Sequence, residues 1–294
     1  MSATSDTPAP KLVGASSRRK RVNRLMEVLA SLAAGVAVAV LALVVGTVLI
    51  KGISAINLDF LTETPAPFGV AGGGIADSIV GTLMLVLVAS AIAVPIGLLI
   101  GIHASEFAPP RVSYAVRFAL DILAGVPTII TGIFIFGLLV VAHGQSGYSG
   151  SIALAIVMLP IVARSAQEVL GLVPNSLREA AVALGIARWR MVIRIVVPSA
   201  ASGLITGAVL GIARVAGETA PLLFTSSIVS NNVSWNPAQA LASIPVTIFT
   251  LSESSSPADH TRAWGAALVL IVAVLILSVS ARSLHERSRR KLRG

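Results

Sequence analysis

A chain of 294 residues that is 55% hydrophobic and only 12% charged, with a strongly positive mean hydropathy, is too apolar for a water-soluble globule and reads as a multispan membrane protein. Its formal charge of +9 would suit a nucleic-acid binder, but the basic residues gather at the two ends and in one internal stretch, as membrane topology requires, so nucleic acid is excluded as a partner. The lack of cysteine excludes a disulfide framework and thiolate chemistry.

Residues 1–27 are polar, with Arg18, Arg19, Lys20, Arg21 and Arg24 just ahead of the first apolar run, and are expected to form a basic cytoplasmic tail that fixes orientation. Residues 28–50 suffice to cross the roughly 30 Å hydrocarbon layer as a leading transmembrane helix. The run is too long for a signal core and lacks a clear cleavage site, so it is read as a retained span. Residues 51–77 carry three acidic residues against one lysine, with Pro65, Pro67 and the run Gly72, Gly73, Gly74, and read as an exterior loop. No Gly-Lys-Ser/Thr follows the triple glycine, which is expected to be a flexible link rather than a phosphate cradle.

The membrane-embedded core is expected over 78–281. Residues 78–102 form the second span, with Pro95 inside it, and 103–111, containing Pro109 and Pro110, return on the inside. Residues 112–142 hold the third span, where Gly125, Pro127 and Gly132 allow close packing against neighbouring helices. A short exterior turn at 143–150 has no lysine or arginine, and 151–172 make the fourth span, interrupted by Pro160 and bringing Arg164 and Glu168 close to the inner surface.

The stretch 175–198 is a polar, arginine-rich island. Ser176 followed by Glu179 has capping-box spacing and predicts a helix start there. Leu177, Ala180, Ala181 and Leu184 give that helix an apolar stripe, Gly185 suits its end, and a second helix from Ala187 is expected to stop before Pro198. Spacing alone leaves open whether Arg188, Arg190 and Arg194 only meet lipid phosphates.

Glu179, Ala180 and Ala181, then Gly185, Ile195 and Pro198, are spaced as in the EAA loop of type I ABC-importer permeases, which this island resembles. Val197 replaces the usual leucine before the proline. The resemblance implies a cytoplasmic loop that docks on a separate ATPase, with Glu179, Ala180, Ala181, Gly185 and Pro198 as the coupling residues. Paired alanines permit close approach, glycine permits a tight reversal, and flanking charges orient the partner.

A fifth span is expected over 199–227, an exterior segment over 230–262, a sixth span over 263–281 and a basic cytoplasmic tail over 282–294. Six crossings from an inside start put both tails and the island on one side. In the fifth span Arg214 and Glu218 are four residues apart, which places them on one helix face. Charges at membrane depth are costly and mark a water path or a partner; a self-neutralising intrahelical pair is compatible with that role. Pro221 would end the helix early and let it line a cavity.

The run from Ala213 and Arg214 through Gly217, Glu218, Thr219, Ala220 and Pro221 to Thr225 is similar to the corresponding stretch of the phosphate-transport permease family called PstA. Gly73-Gly74-Ile75, Gly81-Thr82-Leu83 and Gly125-Val126-Pro127 extend the resemblance over roughly 72–281. It implies an all-α, six-helix, MetI-like bundle with both termini inside, in a bacterial cell membrane. It also implies a second homologous permease, an ATPase dimer and an external phosphate-binding protein as partners beside membrane lipid, with Arg214, Glu218 and Thr219 on the translocation pathway. The chain has no P-loop and only four lysines, none after a glycine run, so ATP and Mg are expected on the partner ATPase and no cofactor or metal on this chain. A permease for another solute, such as sulfate, molybdate or a peptide, and a self-contained channel or secondary transporter are the alternatives.

Overall fold

The computed structural model describes the backbone of residues 17–227 and 232–291 and the side chains of 19–227 and 232–280. Among the described residues the regular elements are all helices, and a single isolated bridge joins Pro65 to Gly73. They fall into two units, 1–49 and 50–294. The first holds most of α1 (Ser17–Gly52), on which no side chain from 19 to 45 is buried. A helix apolar on all sides over this length is at home only in lipid. It starts at Ser17, so much of the expected basic tail is helical, and residues 1–16 of that tail lie outside the described residues.

The second unit begins with structure in the expected loop. Phe60 of α2 (Leu58–Thr62) is buried. The triple glycine is not a flexible link: Gly73 pairs with Pro65 at a φ of +71°, and a Cβ on Gly74 would lie 2.5 Å from the Glu63 carbonyl oxygen. The backbone comes too close there for a side chain.

The unit is built on two helices, α3 (Ala76–Ile102) and α7 (Gly147–Gly171). On α3 the residues Gly81, Leu85, Ala89, Ala93, Gly97 and Gly101 are all buried, and their spacing of four makes one stripe. Small side chains let helix backbones approach, and in lipid it is this close packing rather than a hydrophobic effect that holds helices together. A Cβ on Gly101 would meet that of Ala166 at 2.5 Å, and one on Gly97 would meet that of Val162 at 3.0 Å. Overpacking at such a contact costs about 1–3 kcal/mol, so Gly101→Ala is expected to lower the unfolding midpoint of the detergent-solubilised protein. An unchanged midpoint would mean that α3 and α7 separate freely.

The third span, expected over 112–142, is not one continuous helix. After a π turn at His103–Phe107, α4 (Pro110–Gly125) is followed by α5 (Thr128–Ile135), a second π turn (Phe136–Val140) and α6 (Val141–His143). The two halves are bent by 90° at Val126 and Pro127. Pro127 lacks an N–H and pushes Val126 into extended backbone, which breaks the hydrogen-bond ladder. Among the described residues five unbroken helices are long and apolar enough to cross a membrane, and the bent pair brings the number to six when it is counted as one span.

Beyond α7 the chain forms α8 (Asn175–Ala183), α9 (Arg188–Met191), a π turn (Val192–Val196), α10 (Val197–Ala216) and α11 (Ala220–Thr225). The expected exterior segment 230–262, whose residues 230 and 231 lie outside the described ones, contains α12 (Ile244–Ser252). It buries Ile244, Pro245, Val246 and Leu251 against α3 and α13 (Pro257–Lys291). The helix that carries the last span therefore begins at Pro257, ahead of the span expected from 263, and residues 292–294 of the expected tail lie outside the described residues. From its first turns Arg262 donates to the carbonyls of Ala66 at 2.9 Å and Pro67 at 3.3 Å, while Asp259 accepts from Gly69 N–H at 3.0 Å and pairs with Arg262. These bonds fasten the 63–76 segment to the bundle end.

Candidate functional site

Two places on the second unit hold the residues singled out from sequence. The first is the knob formed by α8 and α9. Its helix begins at Asn175 behind Pro174 with no side-chain cap, so the expected capping box of Ser176 and Glu179 does not form. The end of α8 is as expected. Gly185 has a φ of +72°, its N–H bonds to the Val182 carbonyl at 2.9 Å, and the Ile186 N–H reaches back to the Ala181 carbonyl at 3.1 Å. This pair of bonds is the Schellman arrangement, which satisfies carbonyls that the helix end leaves open.

Ala181 is 2% exposed and packs with Val173, Met191, Val192 and Ile186, whereas Glu179, Ala180, Gly185 and Pro198 are exposed. Of the anticipated stripe only Ala181 faces the bundle: Leu177, Ala180 and Leu184 are exposed, as are Val182, Trp189 and Ile193. Exposed large apolar side chains gathered on one short stretch of chain, together with exposed Glu179, Arg188 and Arg190, are what an interaction surface presents.

The helix from Ala187 does not stop before Pro198. The Val197 N–H bonds to Val192 O across the π turn, so the wider ring absorbs the donor that proline lacks, and Ser199 Oγ donates to Ile195 O at 2.6 Å. The result is one helical rod, Arg188–Ala216, of 29 residues and roughly 40 Å. The knob and Arg214 are opposite ends of this rod.

The second place is a cavity of about 240 Å³ at the break between α4 and α5. Val126, Thr128 and Thr131 come from the break, Val157 and Pro160 from α7, and Arg214 from the end of α10. α10 stops at Ala216, so Glu218 lies past the helix end rather than on the same helix face; its N–H bonds to Val215 O at 3.0 Å and its carboxylate still pairs with Arg214. Side-chain exposure is 58% for Arg214 and 8% for Glu218. The Glu218 side chain is sunk in protein while more than half of the Arg214 side chain is exposed. Thr219 is not in the cavity wall; it precedes α11, and its carbonyl accepts from the N–H groups of Leu222 and Leu223 at 3.1 and 3.2 Å. Pro221 lies buried in the first turn of α11, against Gly132 of α5, where a Cβ would meet Pro221 Cα at 2.7 Å.

Irregular backbone at membrane depth persists only where protein buries it or where it borders a polar cavity. Here the break at 126–127 and Pro160 of α7 border the cavity, beside the end of α10, and Arg214 is its one charged lining residue. The sequence reading missed Thr128 and Thr131, two hydroxyl-bearing residues in the same wall. The signal for them was Pro127, taken as a packing residue, whose neighbours a break exposes. Toward the knob, Asp121 of α4 pairs with Arg164 of α7 at 2.5 Å.

Residues 93–294 match the family described as binding-protein-dependent transport system inner membrane component. The phosphate transport system permease protein PstA of Yersinia pestis is 40% identical over 243 residues, covering 81% of this chain and 81% of that protein. The PstA protein of Pasteurella multocida is 38% identical over 269 residues, covering 90% of this chain and 94% of the relative. An inward-facing structure of the MetNI methionine ABC transporter is similar with a TM-score of 0.62 and 17% identity over 73% of this chain and 95% of that one, a likeness of fold alone.

Proposed function

The chain belongs to the binding-protein-dependent inner membrane permeases, among the PstA phosphate permeases, and from that membership we propose how its residues divide the work of transport. It is a membrane permease subunit of an ATP-driven phosphate importer. Such a subunit works with a second permease, an ATPase and a binding protein. For this chain we assign the second permease as a homologue, the ATPase as a dimer carrying ATP and Mg, and the binding protein as one that delivers phosphate to the bundle end opposite the knob.

In this reading the exposed knob residues Glu179, Ala180 and Gly185, with Ala181 as the inward anchor, seat on the ATPase. Pro198 belongs to the helical start that carries knob motion into α10. Movement of the rod Arg188–Ala216 displaces Arg214 relative to the broken span, and so opens or closes the cavity. Arg214 offers phosphate a planar, permanently charged donor fork. Glu218, already paired with that fork, competes with the ion and keeps it from being held. Thr219 positions α11 through its backbone and supports the pathway without entering it.

The observation that carries this assignment is the largely exposed Arg214 side chain beside the break between α4 and α5, in a wall otherwise apolar but for two threonines and backbone. Reconstitution tests it. The full complex in liposomes, with phosphate and its binding protein outside and ATP inside, is expected to take up phosphate and to hydrolyse ATP faster when phosphate rather than sulfate is supplied. Flux from liposomes holding this chain alone would sink the reading, because the rod would then need no motor.

A further inference from the structure

We propose that Glu106 is a positioning residue for energy coupling: with Phe107 it fastens both halves of the knob to the end of α3, so that knob motion enters the α3–α7 pair as well as α10. The proposal rests on the permease reading above.

Glu106 lies in the π turn His103–Phe107 that prolongs α3, and it is only 4% exposed. Its two carboxylate oxygens accept from Arg178 of α8, Oε1 from Nη2 at 2.6 Å and Oε2 from Nε at 3.3 Å. The same guanidinium donates to the Leu170 carbonyl at 2.9 Å, to the Val173 carbonyl at 2.6 Å and to Asn175 Oδ1 at 3.2 Å. A single side chain thereby joins the end of α3, the end of α7 and the first turn of the knob. Lysine, a point charge on a flexible stem, cannot hold all three at fixed angles. One residue further, the ring of Phe107 lies under the Arg188 guanidinium of α9 at 5.9 Å.

These ties matter because α8 is otherwise lightly held. Ala181 is its one buried residue, so the remaining side chains give the helix little purchase on the bundle. The π turn explains how adjacent residues reach the two knob halves. Its wide ring, closed by the Ala108 N–H on the His103 carbonyl at 2.8 Å, adds a residue to the helix. Each residue turns an α-helix by about 100°, so a regular helix here would aim Glu106 elsewhere. A buried ion pair contributes little net stability against an apolar substitute, but its geometry is specific. It suits a joint that must transmit displacement without slipping.

The test uses the whole reconstituted complex and reads ATP hydrolysed per phosphate imported. Glu106→Gln and Arg178→Lys are expected to leave the ATPase bound at wild-type yield and to raise that ratio roughly twofold to thirtyfold, the span of effects seen for residues along a coupling route. The chain lacks cysteine, so Glu106→Cys with Arg178→Cys can be bridged by a bifunctional thiol reagent. Bridging is expected to bring the ratio back toward wild type. An unaltered ratio in assembled variants overturns the proposal. So does loss of the ATPase on purification, which would make the pair a part of the docking surface only. Failure of the unmodified complex to import phosphate would instead overturn the permease reading.

Discussion

Arg214→Ala is expected to cut phosphate uptake by the reconstituted complex roughly thirtyfold or more, with the ATPase still bound. Two effects act in the same direction. The cavity loses its one charged lining residue, and Glu218, with 8% of its side chain exposed, keeps a carboxylate whose partner is gone. Leaving a buried charge without its partner costs about 2 kcal/mol or more; here Glu218 is buried and Arg214 is 58% exposed, which holds that contribution to the bottom of the range. A stranded carboxylate beside the passage would also repel the anion. Glu218→Gln does the reverse, leaving Arg214 free to grip phosphate, so half-saturation should fall together with maximal rate. The double variant separates the causes. If it regains wild-type uptake, the loss in Arg214→Ala came from stranding Glu218, and Arg214 is not an anion contact. If uptake stays low, the guanidinium itself is what phosphate needs.

The parts of this machine that sequence exposed are those with a local cause. Apolar runs of span length announced the crossings, because lipid leaves a helix few other options. Gly185 announced a reversal because a left-handed residue has few substitutes, and its φ is +72°. Proline was legible as an irregularity but not as a particular one. Pro127 breaks a span by 90°, Pro95 and Pro160 stay inside α3 and α7, and Pro198 is absorbed by a π turn. The difference lies in which neighbours accept the freed carbonyls, and that is a tertiary matter. Ser176 and Glu179 failed as a capping box because the helix is capped two residues sooner, at Pro174. Glu106 passed unnoticed in a loop expected on the inside. Its partner is 72 residues away, and nothing local distinguishes a carboxylate about to be buried. The cavity was half legible, since Arg214 stood out as a charge among apolar residues while Thr128 and Thr131 did not.

The knob yields the other large effect, at Gly185. Gly185→Val is expected to abolish coupled transport, with ATPase recovery on the purified permease falling at least roughly tenfold, whereas Gly185→Asn is expected to retain most of both. A Cβ at Gly185 would meet nothing within 4 Å, so crowding within this chain is not the issue. The φ of +72° is. An L-residue held there costs about 1–2 kcal/mol, asparagine is among the few that adopt it routinely, and a β-branched residue is a true outlier. With valine the turn must open, the bonds from Gly185 to Val182 and from Ile186 to Ala181 are lost, and α8 swings away from α9. Exposed Glu179, Ala180 and Leu184 then no longer hold the arrangement that the proposed docking on the ATPase requires. Glu179→Lys, which leaves the turn intact and reverses the charge on that face, is expected to weaken ATPase binding without moving the unfolding midpoint. Should Gly185→Val transport as well as Gly185→Asn, the left-handed turn is dispensable and the knob is not where the motor takes hold.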